Sequence, residues 1–135
     1  MESDFAKSLR KRLPLLVSKH CKDIKLIYLF GSQATNTSTI ESDIDIAVLG
    51  RSKFDSVYRW QLQNELINEL QCDVDLVDLL SASTVMQNQI IINGICIYDA
   101  ENYAGLFEMQ VMSMYQHLND ERADILKQHM SICNE

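Results

Sequence analysis

The sequence predicts an α/β (α+β) domain in which helices flank a small mixed β-sheet. Three observations support this fold class. The chain has 135 residues, which suits one domain. It contains four short apolar runs typical of strands, and segments of helical period precede, separate and follow these runs. The predicted order is helix, strand, strand, helix, strand, helix, strand, helix, and we expect residues 1–135 to form a single domain.

The first third of the chain predicts a helical segment, a strand and a polar loop. Apolar side chains recur at helical spacing through the first twenty residues. Pro14 falls inside this pattern and predicts a kink or the start of a second helix, because proline cannot donate the helical hydrogen bond. Lys25–Phe30 is apolar and aromatic, as strands often are. Gly31–Ser42 is rich in Ser, Thr and Asn, which predicts a loop or a short helix start.

The rest of the chain alternates strands and helices. Asp43–Leu49 and Asp73–Leu79 begin with alternating acidic and aliphatic residues, the period of a strand. Apolar spacing and stop signals predict helices at Phe54–Leu70, at Thr84–Ile92 with Gly94 after it, and at about 103–131, and a last short strand at Ile95–Tyr98.

The charge of the chain argues against nucleic-acid binding. The net charge is −7, from 12 basic and 19 acidic side chains. A protein that binds nucleic acid needs a basic surface that displaces counterions. The one basic cluster consists of Lys7, Arg10, Lys11 and Arg12. We interpret it as the solvated face of a helix, with a patch for an acidic partner as the alternative, and we expect no direct binding of nucleic acid.

Cysteine spacing and hydropathy predict a cytoplasmic protein. Cys21, Cys72, Cys96 and Cys133 are widely spaced and form no CxxC pair, which argues against zinc and for free thiols in a reducing compartment. The N-terminal residues are polar, so no secretory signal peptide is predicted. No apolar run approaches the roughly 18 residues of a membrane span, and we expect no membrane contact.

Two acidic residues on one strand are the first candidates for chemistry. Asp43 and Asp45 are two residues apart, so their side chains share one face of the predicted strand. Neighbouring carboxylates repel each other and disturb each other's pKa values. A divalent cation is the natural compensation, and Mg²⁺ prefers a few carboxylate oxygens completed by water and phosphate. The pattern therefore predicts a magnesium site.

The second acidic strand offers a third carboxylate. Asp73 and Asp75 share one face of this strand, and Asp78 takes the other. If the two strands lie side by side, one of these acids completes a cluster of three. We favour Asp75 because it lies deeper in the apolar run, and Asp73 remains the alternative.

A glycine and a serine after the first strand are candidates for holding phosphate. Gly31 and Ser32 follow the apolar run directly. Glycine lets the backbone approach a phosphate closely, backbone N–H groups at a following helix start favour an anion, and the serine hydroxyl adds a donor. The pair gains its significance from the Asp-x-Asp strand that follows at a fixed distance.

The combined motif resembles that of a known family. Leu29-Phe30-Gly31-Ser32, ten residues and then Asp43-Ile44-Asp45 are similar to the signature of the DNA polymerase β-like nucleotidyltransferases. The segments LFGSQA, SDIDIAVLG, VDLVDL and GICIYD are closer still to the minimal nucleotidyltransferases. The C-terminal segment FEMQVMSMYQHLNDERADIL is similar to the MntA-type antitoxins, which are encoded beside HepT toxins, the HEPN-domain ribonucleases.

The resemblance implies a fold, an activity and a partner. The fold is the polymerase β-like nucleotidyltransferase fold. The resemblance implies that Gly31 and Ser32 bind the nucleoside triphosphate and that Asp43, Asp45 and Asp75 are the catalytic, metal-binding residues. Asp43 and Asp45 would coordinate both Mg²⁺ ions, and Asp75 would bind the ion next to the acceptor hydroxyl. The activity is transfer of AMP from ATP to a tyrosine of a HEPN-domain toxin, which silences the toxin within a hetero-oligomeric complex.

One departure and two alternatives accompany this expectation. Many members carry two arginines and a glycine where this chain has Gln33–Asn36, and an arginine there meets phosphate or pairs with an acid.

One alternative is a non-catalytic antitoxin that acts by covering the toxin. The other is a nucleotidyltransferase for a small molecule such as an antibiotic, for which 135 residues leave no separate drug-binding domain.

Overall fold

The structure is a computed structural model that describes residues 4–31 and 43–133. Within these ranges the chain forms the predicted order of elements, which we number α1 (Asp4–His20), β1 (Ile24–Phe30), β2 (Ile44–Gly50), α2 (Ser56–Leu70), β3 (Val74–Asp78), α3 (Thr84–Asn93), β4 (Ile95–Asp99) and α4 (Ala104–Cys133). None of these helices is both long enough and apolar enough to span a bilayer.

The four strands form one mixed sheet in the order β3-β2-β1-β4. β1 runs antiparallel to both β2 and β4, whereas β2 and β3 run parallel. Parallel neighbours need a crossover connection, and α2 provides it. The predicted small mixed sheet flanked by helices is thereby confirmed.

Each face of the sheet carries its own apolar core. On one face, residues of α1 and α2 such as Leu13 and Leu66 pack against Ile46 of β2. On the other face, residues of α3 and α4 such as Ile90 and Phe107 pack against the remaining strand side chains. The side chains of a strand alternate between these two cores, so both faces of β1 and β2 are buried and the strands are rigid supports.

Helix α1 continues through Pro14. Of the two predicted outcomes for this proline, the start of a second helix is therefore wrong. A proline inside a helix forfeits one backbone hydrogen bond and strains the preceding turn. Leu9, Leu13 and Val17 are all buried around it, so packing against the sheet outweighs this local cost.

Helix α4 is anchored at its start and exposed along much of its length. The carboxylate of Asp99 accepts hydrogen bonds from the backbone N–H groups of Tyr103 (2.8 Å) and Ala104 (3.0 Å), which begins the helix. Phe107, Val111, Met114 and Ile125 lie near one apolar stripe of α4 at helical spacing. Phe107 and Val111 are buried, but Met114 and Ile125 are 59% and 63% exposed. The stripe therefore faces the core of this chain only over the first turns. Met109 and Met112 are also exposed.

Asp78 is a buried acid with a structural role. It is only 3% exposed, and its carboxylate accepts hydrogen bonds from the backbone N–H of Phe54 (2.8 Å), the backbone N–H of Leu80 (3.2 Å) and the hydroxyl of Ser81 (2.7 Å). These bonds join the segments before α2 and after β3. A buried carboxylate satisfied in this way fixes the loops around it.

We predict that Asp78→Ala lowers the free energy of unfolding by about 2–4 kcal/mol, because three donors lose their acceptor in a buried site. Urea unfolding measures the loss. Asp124→Ala, at an exposed position of α4, is the control and is expected to change stability by less than about 0.5 kcal/mol. Equal stability of the two variants would contradict the structural role of Asp78.

Candidate active site

The predicted site residues meet at one end of the sheet. β1 runs antiparallel to β2, so the end of β1 lies beside the start of β2, where Phe30 pairs with Asp45. β3 runs parallel to β2, and Asp75 is the register partner of Asp45. Gly31, Asp45 and Asp75 therefore stand in a row across three adjacent strands. Ala47, two residues beyond Asp45, already belongs to the apolar core on that face.

Electrostatic repulsion is concentrated on Asp45. Burial raises the pKa of the Asp45 carboxyl above its usual range, and the carboxylates of Asp75 and Asp43 raise this pKa further. The three predicted acids are thus close enough to interact. Asp45 is half-buried, whereas Asp43 and Asp75 are exposed. The site is an acidic cluster whose central member is partly withdrawn from water.

Asp73 occupies a different position from Asp75. Its backbone carbonyl accepts a hydrogen bond from the N–H of Ile44 (2.9 Å), which fixes the first rung between β2 and β3. The register then pairs Asp45 with Asp75, and no contribution of Asp73 to the raised pKa of Asp45 is apparent. Of the two alternatives for the third carboxylate, Asp75 has the geometry that brings it to Asp45.

Gly31 lies directly against the carboxylate of Asp45. Its φ is +70°, a conformation that residues with a Cβ rarely adopt. A Cβ at this position would overlap Oδ2 of Asp45 and lie 3.1 Å from its Cγ. The glycine therefore both turns the chain out of β1 and leaves room for the acid. Ser32 lies outside the described residues.

Two features of the site surroundings escaped the sequence analysis. A cavity of about 270 Å³ adjoins Gly31 and is lined by Met86, Gln89 and Asn93 of α3. A second cavity, of about 400 Å³, is lined in part by Asp75 and Arg59. Met86, Gln89, Asn93 and Arg59 lie on helices whose sequences carry no recognisable motif. Helical periodicity does not reveal which part of the molecule such a side chain faces.

The donor chemistry of the acidic cluster fits a hard divalent cation. Carboxylate oxygens are ligands that Mg²⁺ prefers, and a cation would relieve the repulsion that raises the pKa of Asp45. Within residues 4–31 and 43–133, however, no three ligating side chains are already gathered into a metal-binding group. The acids Asp43, Asp45 and Asp75 therefore suit Mg²⁺ in the type of ligand atom, and the interaction of Asp43 and Asp75 with Asp45 places them in one region of the sheet.

Comparison with known proteins identifies the family. The model of the family Polymerase beta, Nucleotidyltransferase matches residues 14–103. This range includes both acidic strands and Gly31. The chain belongs to this family of nucleotidyltransferases, and the resemblance found in the motif is confirmed.

Similar proteins include a protein adenylyltransferase and chains of toxin–antitoxin structures. The protein adenylyltransferase MntA of Shewanella oneidensis is 42% identical over 130 residues, which cover 96% of this chain and 88% of the relative. A chain in a crystal structure of a toxin–antitoxin with AMP-PNP is 40% identical, with a TM-score of 0.80, covering 90% of this chain and 98% of that chain. A chain in the structure of a tri-AMPylated Shewanella oneidensis HEPN toxin with an MNT antitoxin is 38% identical, with a TM-score of 0.76, covering 93% and 98%.

We predict that Gly31→Ala destabilises the protein by about 1–3 kcal/mol, because the new Cβ is strained at positive φ and collides with the carboxylate of Asp45. Gly105→Ala is the matched control, since a Cβ there meets nothing within 4 Å, and we expect it to be neutral or stabilising by less than about 1 kcal/mol. Urea unfolding compares the two. If Gly31→Ala is as stable as Gly105→Ala, the close contact with Asp45 is wrong.

We predict that Asp45→Asn stabilises the metal-free protein at neutral pH. The folded protein raises the pKa of Asp45, so it holds this proton more tightly than the unfolded chain does. Stability is therefore lost as the pH rises from the ordinary aspartate value of about 3.9 through the raised pKa, and the asparagine variant escapes this loss.

Thermal melting in the presence of EDTA measures the difference from pH 3 to pH 8. The advantage of Asp45→Asn should shrink below about pH 4, where the aspartate is protonated in both states. Asp124→Asn removes one exposed negative charge from α4 and is the control. An advantage that does not vary with pH would refute the electrostatic explanation.

Proposed function

We propose that this chain is a Mg²⁺-dependent protein adenylyltransferase that transfers AMP from ATP to a tyrosine of a HEPN-domain toxin and so neutralises the toxin. The observation that carries the proposal is the row formed by Gly31, Asp45 and Asp75 across three adjacent strands. A purely binding antitoxin has no use for clustered carboxylates whose repulsion raises the pKa of Asp45. The similarity to a protein adenylyltransferase over 96% of the chain supports the same activity.

Each site residue has a proposed role. Gly31 and Ser32 bind the triphosphate through backbone N–H groups and the serine hydroxyl. Asp43, Asp45 and Asp75 hold Mg²⁺, with two ions expected in this type of site. The metal, when bound, supplies positive charge next to the phosphate oxygens. A crystal structure of a similar toxin–antitoxin contains AMP-PNP, which supports ATP as the nucleotide.

The proposed reaction is an in-line displacement at the α-phosphorus. The phenolic oxygen of the acceptor forms a bond to this phosphorus, the bond from the phosphorus to the bridging oxygen breaks, and pyrophosphate leaves. Asp75 is the exposed acid of the row. We propose that the carboxylate of Asp75 accepts the proton of the acceptor hydroxyl, because Asp75 stands at the outer end of the row, where an acceptor has access. The protein contributes mainly by positioning the two reactants.

The proposed partner is a toxin subunit in a hetero-oligomeric complex. The solved structures that are 38–40% identical to this chain contain a toxin together with an antitoxin, which supports this partner. We further propose that residues 1–135 act as one nucleotidyltransferase domain in the cytoplasm. Cys21, Cys72 and Cys96 are free thiols, as suits a reducing compartment.

Label transfer tests the proposal. The chain is mixed with Mg²⁺, ATP labelled at the α-phosphate and the HEPN-domain protein encoded by the neighbouring gene. We predict that the partner acquires label and that Asp43→Asn/Asp45→Asn lowers the rate at least about a hundredfold, because the ligands of the metal are lost. Asp120→Asn/Asp124→Asn, which removes two exposed acids of α4, is the control and retains the rate.

The outcomes separate the competing functions. An unlabelled toxin that is nevertheless bound tightly and inhibited would indicate an antitoxin that acts by covering its partner. Label on an added aminoglycoside instead of the toxin would indicate a small-molecule nucleotidyltransferase. Normal transfer by the double asparagine variant would refute the role of Asp43 and Asp45.

A further inference from the structure

The direction from which an acceptor reaches the site follows from the order of the strands, given the proposed function. Gly31, at the end of β1, is the proposed phosphate-binding position, and Asp75 stands two strands away on β3. An in-line displacement requires the attacking oxygen and the leaving group on opposite sides of the phosphorus. A nucleotide held on the β1 side therefore has to be attacked from the β3 side.

β3 is the outer strand of the described sheet on that side, and a cavity lies between this strand and the start of α2. The cavity has a volume of about 400 Å³ and is lined by Asp75 together with Phe54, Ser56 and Arg59 from the start of α2 and its approach. Its size lies in the range of about 300–1,000 Å³ that is typical of ligand sites. This open depression also borders Ser81 and Ala82 beyond β3, and it brings an aromatic ring, a hydroxyl, a guanidinium and the proposed proton acceptor together.

Arg59 is held in place by the same strand that carries Asp75. Its Nη1 donates to the backbone carbonyl of Leu76 (3.1 Å) and to Oε1 of Gln63 (3.5 Å), and Gln63 Oε1 in turn accepts from the N–H of Leu76 (3.0 Å). Among the described residues, Arg59 has no acidic partner within 4 Å. A fixed guanidinium that has no acidic partner in the described part of the chain suits a carboxylate or a backbone carbonyl of a bound segment.

We propose that this cavity is the acceptor site and that it receives the segment of the partner protein that carries the acceptor tyrosine. The phenol enters next to Asp75. Arg59 binds an acidic side chain or a carbonyl of the same segment, and Phe54 contributes apolar contact. Arg59 and Ser56 thereby become determinants of acceptor recognition, separate from the residues that bind ATP and metal.

The test uses the full chain and its HEPN-domain partner in the label-transfer assay, with binding of AMP-PNP measured in parallel. Ser56→Trp fills the cavity from an exposed position, and Asn68→Trp places the same ring elsewhere on α2 as the control. We expect Ser56→Trp to raise the KM for the partner at least about tenfold and Asn68→Trp to leave it unchanged. Arg59→Met should raise this KM about ten- to hundredfold, the effect of losing a charged hydrogen bond. Binding of AMP-PNP should be unchanged in all three.

A photo-crosslinking residue provides a measurement that does not depend on the tolerance of α2 for tryptophan. p-Benzoylphenylalanine at position 56 should crosslink to the partner peptide that contains the labelled tyrosine, whereas the same residue at position 68 should not. An unchanged KM in Ser56→Trp, a crosslink from position 56 to a peptide without the acceptor, or a parallel loss of AMP-PNP binding would each overturn the assignment of the cavity. Absence of transfer by the wild-type chain would instead reject the proposed function itself.

Discussion

The parallel register between β2 and β3 is the constraint on which the site depends. Pairing Asp45 with Asp75 brings two carboxylates together on neighbouring strands, and burial of Asp45 makes their repulsion more costly. A slip of β3 by one residue would turn Asp75 toward the apolar core that α1 and α2 form on the other face, and it would separate Asp75 from Asp45. The two cores on either side of the sheet therefore preserve an electrostatically unfavourable arrangement of carboxylates, which a bound cation would relieve.

Local patterns in the sequence predicted most of the fold, and they singled out acids that the structure brings close together. Strand and helix periods are local properties, so the predicted elements agree with the observed ones to within about two residues at most ends. Strand pairing is not local, so the contact of Asp45 with Asp75 in preference to Asp73 required the structure. Arg59 could not be singled out from the sequence, because it meets Leu76 only when α2 packs against β3. The exposed residues Met114 and Ile125 of α4 resemble core residues in sequence, since periodicity cannot distinguish a chain's own core from an exposed surface.

The segments that form the site are held in place by different kinds of interaction. Asp45 belongs to a strand buried on both sides, and Gly31 follows another such strand directly. Asp75 lies on the outer strand, where Asp78 ties the adjoining loops together by three hydrogen bonds. The acids at the centre are thus held by the core, whereas the side that faces an acceptor is held by polar side chains, a division that suits a site whose second substrate is a whole protein.

The bonds from Arg59 and Gln63 to Leu76 also affect how copies of the chain meet one another. An outer strand normally presents unpaired peptide groups, to which a strand of another molecule can add. Here the side chains of α2 imitate the missing neighbour strand and occupy both the N–H and the carbonyl of Leu76. At Leu76 the outer edge of the described sheet is thereby kept from serving as a template for aggregation.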